Sequence, residues 1–170
     1  MFDIRYLNER VARLLAPFLL AIALVAPAAA QSASPDQVAA GLKVWKERGG
    51  CFNCHGDFGQ GGEGGHFPAG PSLRSTQLDR DTLKQVVECG LPGTPMPFNL
   101  LGAYTEHPCY GDTVGEVQEG AVPGAGLSEA EIDDLVAYLF DKVVGKRRIT
   151  KQECVEYHGD PNAVACADYR

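Results

Sequence analysis

The chain has 170 residues, six of them cysteines, and a formal net charge of −7. This length suits one domain with extensions, and the acidic balance opposes binding to nucleic acid or to anionic lipid. No acid/base pair, nucleophile motif or phosphate-binding loop is found in the sequence, so we predict a protein that is not an enzyme by itself.

The first thirty residues have the order of a secretory signal peptide. Arg5, Arg10 and Arg13 precede an apolar run over 14–30, which contains two prolines and ends in small residues. The run is short for a membrane span of about 20 residues, so we predict a cleaved leader over 1–30, and a retained membrane anchor is the alternative. Removal of the leader leaves 12 basic and 20 acidic residues, a net charge of −8.

The first predicted helix begins at Ser34, where Pro35 and Asp36 follow a residue type that caps helices. It is expected to end near Gly49-Gly50. Gly41 interrupts its apolar face and would allow a second helix to cross at close range. This helix delivers the chain to a cysteine motif.

Cys51-Phe52-Asn53-Cys54-His55 is the motif around which the chain is organised, because C-x-x-C-H is the pattern of covalent c-type haem attachment. Two thiols on one helical turn bond to the porphyrin, and His55 then faces the iron. A thioredoxin-like dithiol would need a βαβ context, and a zinc site would need a second Cys/His pair. We predict one covalent haem c bound by Cys51 and Cys54, with His55 as an iron ligand. In bacteria such attachment takes place outside the cytoplasm, which predicts a periplasmic protein.

A glycine-rich loop over 56–70 follows the motif, and such a loop permits close backbone approach to a flat cofactor. A second helix is predicted from a cap at Asp79 to Cys89-Gly90. Residues 91–127 show no periodicity, and the last strong helix begins at the capping box of Ser128 and ends near Gly145.

Four cysteines remain outside the haem motif, and an even number in an exported chain predicts two disulfides. Three pairings are possible. The simplest joins sequence neighbours, Cys89 with Cys109 and Cys154 with Cys166. The second pair would staple a tail, 146–170, which has too few apolar residues for a core of its own.

Met96 is the only methionine besides the initiator, and a thioether is a good sixth ligand for haem iron. Its flanking prolines argue against a place in a core helix. His66 and His107 are the competing ligands, and a core-filling role is the other alternative for Met96. Arg74 or Trp45 would then contact the haem propionates.

With these elements placed, the chain from Ser34 to Gly145 resembles the class I (monohaem, cytochrome c-like) c-type cytochromes. Gly41 and Trp45 are similar to the family's residues on its first helix, and Leu135 and Tyr138 to their partners on the last. The resemblance implies an all-α, cytochrome c-like fold of three to four helices around one haem. It divides the chain into the leader, a cytochrome domain over 31–145 and a disulfide-stapled extension over 146–170.

The same resemblance implies further roles at the haem. Gly70-Pro71-Ser72-Leu73 is similar to the family's G-P-x-L turn, in which the Pro71 carbonyl would hold the His55 imidazole. Met96 looks like the distal axial ligand. The insert over 98–125 and the stapled tail depart from the family pattern.

The function expected from these features is one-electron transfer in the periplasm. The donor would be a periplasmic dehydrogenase, with an alcohol dehydrogenase favoured, and the acceptor a terminal oxidase or respiratory complex. A partner would dock through a basic patch on its own surface, and the insert over 98–125 would select that partner. The alternatives are a haem sensor or peroxidase-like protein with an open sixth position, and a membrane-anchored subunit of a respiratory complex.

Overall fold

The computed structural model of this chain describes residues 32–62, 67–111 and 113–170. The predicted leader over 1–30 and His66 lie outside the described residues. Among the described helices, none combines the length and apolar character that crossing a membrane requires.

Helix α1, Pro35–Lys43, begins at the predicted cap, where the Ser34 hydroxyl accepts a 3.2 Å hydrogen bond from the Gln37 amide. The helix continues as a π-helical turn over Val44–Arg48. After Gly49 and Gly50 the chain enters the short helix α2, Phe52–His55.

Two longer helices follow at the predicted positions. Helix α3, Arg80–Cys89, is capped by the Asp79 carboxylate, which accepts from the Thr82 amide at 2.8 Å. Helix α4, Glu129–Tyr138, starts at Ser128 with a reciprocal capping box and runs on as a π-helical turn over Leu139–Val143.

Helices α1 and α4 cross at Gly41, as the sequence predicts. A Cβ atom at this position would lie 2.0 Å from the backbone oxygen of Asp134, so the crossing admits only glycine. The rings of Trp45 and Tyr138 approach to 6.2 Å beside the crossing. This pair of helices forms the centre of the core, together with the buried side chains of Ile132, Leu135 and Leu139.

The insert after α3 corrects the all-α expectation. Strand β1, Phe98–Leu100, pairs in parallel with strand β2, Pro123–Leu127. A buried asparagine ties the pair together, because Asn99 donates to the carbonyls of Val87 and Pro97 and accepts from the Ala125 amide. The strands are too short and irregular in register for an alternating sequence pattern to reveal them.

The tail contains helix α5, Lys151–His158, and a 3₁₀ turn over Val164–Cys166. The described residues therefore include five α-helices, whereas the sequence predicts three to four. The difference comes from the short helix α2 and from α5 in the tail. Both predicted disulfides are confirmed, Cys89 with Cys109 and Cys154 with Cys166. The tail adds Tyr157 to the core of the preceding chain.

Candidate functional site

The two thiols of the haem motif lie on one helical turn. The Cys51 amide donates to the Trp45 carbonyl at 3.1 Å, and the His55 amide donates to the Cys51 carbonyl at 3.0 Å. Cys51 and Cys54 are both unbonded and half-buried. Gly56, with a φ of +75°, ends the helix directly after His55. Both sulfur atoms and the imidazole are therefore presented from a single short element.

The imidazole of His55 is buried and oriented by a backbone carbonyl. Its Nδ1 lies 2.9 Å from the oxygen of Pro71, and a carbonyl only accepts hydrogen bonds. Nδ1 therefore carries the hydrogen, which leaves the lone pair on Nε2. Burial lowers the pKa of His55, although the hydrogen bond to Pro71 acts in the opposite direction. A neutral imidazole with a free Nε2 is the form that binds iron.

Gly70 shows why the loop after the motif is rich in glycine. A Cβ atom there would lie 2.9 Å from both Cε1 and Nδ1 of His55. At Gly62 a Cβ atom would lie 2.3 Å from the Cys54 carbonyl oxygen. The sequence predicts close approach to a flat cofactor, whereas at these two positions the loop packs directly on the motif and its histidine.

The thiol of Cys51 is not activated. Burial raises its pKa to about 12, while its own backbone hydrogen bond acts in the opposite direction. A reactive dithiol needs a lowered thiol pKa, because the thiolate is the nucleophile. The local environment therefore argues against the thioredoxin-like alternative.

Met96 lies in the loop between α3 and β1 and is half-buried. Its amide donates to the Thr94 hydroxyl at 3.2 Å, and its carbonyl accepts from the Leu91 amide at 3.1 Å. The loop is fixed from outside as well, since the Gly93 amide donates to the Gly120 carbonyl at 2.9 Å. The structure thus places Met96 on a braced segment separate from α2.

The competing ligand His107 is also half-buried. Its Nδ1 lies 3.6 Å from a carboxylate oxygen of Glu129, and its backbone bridges to Ala103.

The propionate contact predicted for Arg74 or Trp45 is not supported. Arg74 is buried, and its guanidinium donates to the Glu153 carboxylate at 2.6 Å and to three backbone carbonyls. The indole nitrogen of Trp45 donates to the Asp57 carbonyl at 3.1 Å. Most arginines are solvated, whereas Arg74 is buried, and the tail supplies all of the partners of its guanidinium except the Phe58 carbonyl. The sequence does not identify Glu153 as a partner of Arg74, and its one signal there is the stapled tail around Glu153.

Comparison with known proteins adds one match. Residues 36–105, less than half of the chain, match the family model described as cytochrome C oxidase, cbb3-type, subunit III. This segment is thus similar to a c-type cytochrome domain. No curated protein and no solved structure matches the chain. The matched segment includes the haem motif, the glycine-rich loop and Met96.

Proteins of c-type cytochrome families carry a covalently attached haem c with its iron, and their function is electron transfer. The residues of the matched segment suit that cofactor. The two thiols are unbonded and three positions apart in the sequence. The buried imidazole of His55 donates from Nδ1 to the Pro71 carbonyl, which leaves Nε2 free. The mostly helical architecture with a small sheet agrees with a cytochrome c-like domain that has an elaborated insert.

Proposed function

We propose that this protein is an exported, periplasmic one-electron carrier with His/Met axial ligation. Cys51 and Cys54 would hold the haem covalently, and His55 and Met96 would be the ligands of its iron. The haem supplies the Fe(III)/Fe(II) couple, and the protein supplies a fixed ligand set that changes little between the two states.

The observation that carries this proposal is the 2.9 Å contact from His55 Nδ1 to the Pro71 carbonyl. A metal-binding histidine normally donates its other ring N–H to an acceptor, which fixes the ring and increases its basicity as a ligand. Pro71 has this role here. Gly70 allows the carbonyl to come close, because no side chain separates the turn from the ring.

The distribution of charge supports a protein partner with a basic patch. From Gln85 to Asp141 the chain has ten acidic residues and no lysine or arginine, while the rest of the chain after residue 30 has ten acidic and twelve basic residues. The negative charge therefore belongs to the part that contains Met96 and the insert. A basic surface would be steered toward the exposed acidic residues of this part of the chain.

The insert offers a suitable contact surface. Glu106, Glu116 and Glu119 are exposed, and none of them forms an ion pair with another described residue. Leu101 and Val117, also in the insert, are 68% and 48% exposed. Exposed apolar side chains together with unpaired charges are typical of a protein interface.

The partners that we propose are a periplasmic dehydrogenase as donor, an alcohol dehydrogenase in particular, and a terminal oxidase or respiratory complex as acceptor. The insert over 98–125 elaborates the surface beside the Met96 loop, which favours a dedicated partner. A second candidate function is that of a cytochrome subunit within a respiratory complex. The name of the matched family, an oxidase subunit, favours this candidate.

Replacement of Met96 by alanine tests the ligand set. The variant should lose the weak far-red charge-transfer band of a Met-bound haem, fall in reduction potential and gain peroxidase-like activity. Leu91→Ala is the matched control, because Leu91 lies in the same loop and is 41% exposed. An unchanged spectrum and potential in Met96→Ala would show that Met96 is not a ligand, and His107 would be replaced next.

The wild-type spectrum tests the alternative function. A high-spin spectrum before any substitution would show an open sixth position and would favour the sensor or peroxidase-like protein. After acid–acetone extraction the haem should remain with the polypeptide. Haem that moves to the solvent would contradict covalent attachment through Cys51 and Cys54.

A further inference from the structure

The segment directly after the haem motif is held by the C-terminal extension, residues 146–170. Asp57 is two residues from His55, and its carboxylate accepts a 3.0 Å hydrogen bond from the Tyr157 hydroxyl. The Tyr157 carbonyl in turn accepts a 2.9 Å hydrogen bond from Lys46, in the π-helical turn after α1. Trp45 completes the arrangement through its 3.1 Å bond to the Asp57 carbonyl. One residue of the tail is thus linked to both sides of the motif.

The turn that orients the imidazole is held by the same extension. Arg74 is three residues after Pro71, and its guanidinium donates to the carbonyls of Lys146 at 2.8 Å and Arg148 at 2.6 Å. Another donor of the same group reaches the Phe58 carbonyl at 3.0 Å. Arg74, which directly follows the turn, therefore links it both to the segment after the motif and to the tail.

The tail itself is fixed where these contacts are made. Glu153 pairs with Arg74 at 2.6 Å, and the neighbouring Cys154 is bonded to Cys166. The ring of Phe58 is buried against Tyr157, with ring centres 5.0 Å apart, and against Tyr169 at 5.8 Å. A disulfide and an aromatic cluster thus keep both hydrogen-bonded residues of α5 in place.

We infer that the C-terminal extension is a positioning clamp for the proximal histidine, with Tyr157 and Arg74 as its positioning residues. The extension holds Asp57 and Phe58, which follow His55 in the chain, and also the residue that follows the Pro71 turn. It thereby fixes the distance and direction of the His55 to Pro71 hydrogen bond. This inference rests on the proposed role of His55 as iron ligand.

The consequence for the cofactor follows from that hydrogen bond. Donation from Nδ1 makes the imidazole a stronger ligand, which stabilises the oxidised iron. A looser clamp weakens the donation, so the reduction potential should rise. The Nδ1 proton should also exchange with solvent more rapidly, because the two segments that the extension holds separate from His55 more often.

The test compares two tyrosines of the tail in the haem-loaded protein. Tyr157→Phe removes the hydroxyl that binds Asp57 and keeps the ring against Phe58. Tyr169→Phe is the matched control, because its ring also packs on Phe58 and its hydroxyl has no hydrogen bond among the described residues. The measurements are the reduction potential and the exchange rate of the His55 Nδ1 proton by NMR spectroscopy.

Tyr157→Phe should raise the potential and accelerate the exchange about fivefold, the factor that corresponds to loss of one ordinary hydrogen bond. Tyr169→Phe should match the wild type in both measurements. A second variant, Arg74→Lys, removes the guanidinium fork and should shift both quantities in the same direction. Wild-type values in both Tyr157→Phe and Arg74→Lys would overturn the clamp.

Equal shifts in the two tyrosine variants would also overturn it, because they would indicate a general loosening of the tail. The outcomes also distinguish a failure of the proposed function from a failure of the clamp. A wild-type protein without covalent haem, or with an iron that His55 does not bind, would overturn the electron-transfer proposal and the clamp together. A normal His55-bound haem with no effect of the variants would overturn the clamp alone.

Discussion

Gly41 is the residue on which the crossing of the two central helices depends. A methyl group there would lie 2.0 Å from the Asp134 backbone oxygen and 2.6 Å from the Tyr138 Cβ atom. Gly41→Ala should therefore force the helices apart and lower the free energy of unfolding by about 1–3 kcal/mol. Denaturant unfolding of the haem-loaded protein measures the change.

Ala39→Ser is the control for this prediction, because it adds one heavy atom at an exposed position of the same helix. It should cost less than about 1 kcal/mol. Equal stability of the wild type and Gly41→Ala would mean that the helices cross elsewhere or yield without strain.

For single residues, the sequence predicts those roles that depend on neighbouring positions in the chain. The cap at Ser34 and the glycine at the crossing follow from neighbouring residues, and the structure has both. Arg74 was misjudged because all but one of the partners of its guanidinium lie in the tail, more than seventy residues away in the sequence. A single sequence carries no signal that joins Arg74 to Glu153.

Helix α4 carries the clearest local signal in the chain, the capping box at its start. Glu131 accepts hydrogen bonds from the Ser128 amide and hydroxyl and from Arg48. The backbone hydrogen bond from Ser128 is the largest cause of its lowered pKa, followed by the Arg48 side chain, and the pKa falls to about 2.

The lowered pKa of Glu131 predicts a pH-dependent contribution to stability. Since the folded pKa lies below the unfolded value of 4.5, the contribution is complete above about pH 4.5 and is lost as the pH falls toward 2. Glu131→Gln should therefore be less stable than the wild type at pH 7, by about 0.5–1 kcal/mol. The two proteins should converge as the pH approaches 2. Thermal unfolding at several pH values measures the difference, and a gap that widens in acid would contradict the assignment.

The Cys89–Cys109 disulfide connects the end of α3 to the insert, across the loop that contains Met96. Its removal in Cys89→Ser/Cys109→Ser should lower the free energy of unfolding by about 2–4 kcal/mol. We also expect the charge-transfer band of the haem to be lost at a lower temperature or denaturant concentration than the helical signal, since Met96 loses its bracing first.

The control is Cys154→Ser/Cys166→Ser, which removes the other disulfide and leaves the Met96 loop intact. It should lower stability without uncoupling the charge-transfer band from the helical signal. Uncoupling in both double variants would show that the bracing is not specific to the Met96 loop.

At the scale of elements, helices with capping signals and apolar faces could be predicted, and the insert could not. Strand β1 pairs with a strand that begins at Pro123, so the contact is made across more than twenty residues. The buried side chain of Asn99, which holds both strands, looks in the sequence like any loop asparagine. The tail helix was missed because it buries its apolar residues in a core that the preceding chain provides.

At the scale of the whole molecule, the segregation of charge predicts how the protein meets a partner. We expect the rate of electron transfer to a lysine-rich redox protein to fall as salt rises, because the attraction is screened over about 8 Å at physiological ionic strength. The triple variant Glu106→Gln/Glu116→Gln/Glu119→Gln should be slower at low salt and less dependent on salt. Stopped-flow measurements over a series of salt concentrations give both quantities.

A second triple variant distinguishes the effect of where the charges lie from the effect of how many there are. Asp36→Asn/Asp81→Asn/Asp168→Asn removes the same charge from exposed positions outside the insert, so its rate and salt dependence should stay close to those of the wild type. If both variants lose the salt dependence equally, net charge alone steers the encounter and the insert does not dock. A wild-type rate that does not change from low to high salt would instead show that the exposed apolar side chains, such as Leu101, dominate the contact.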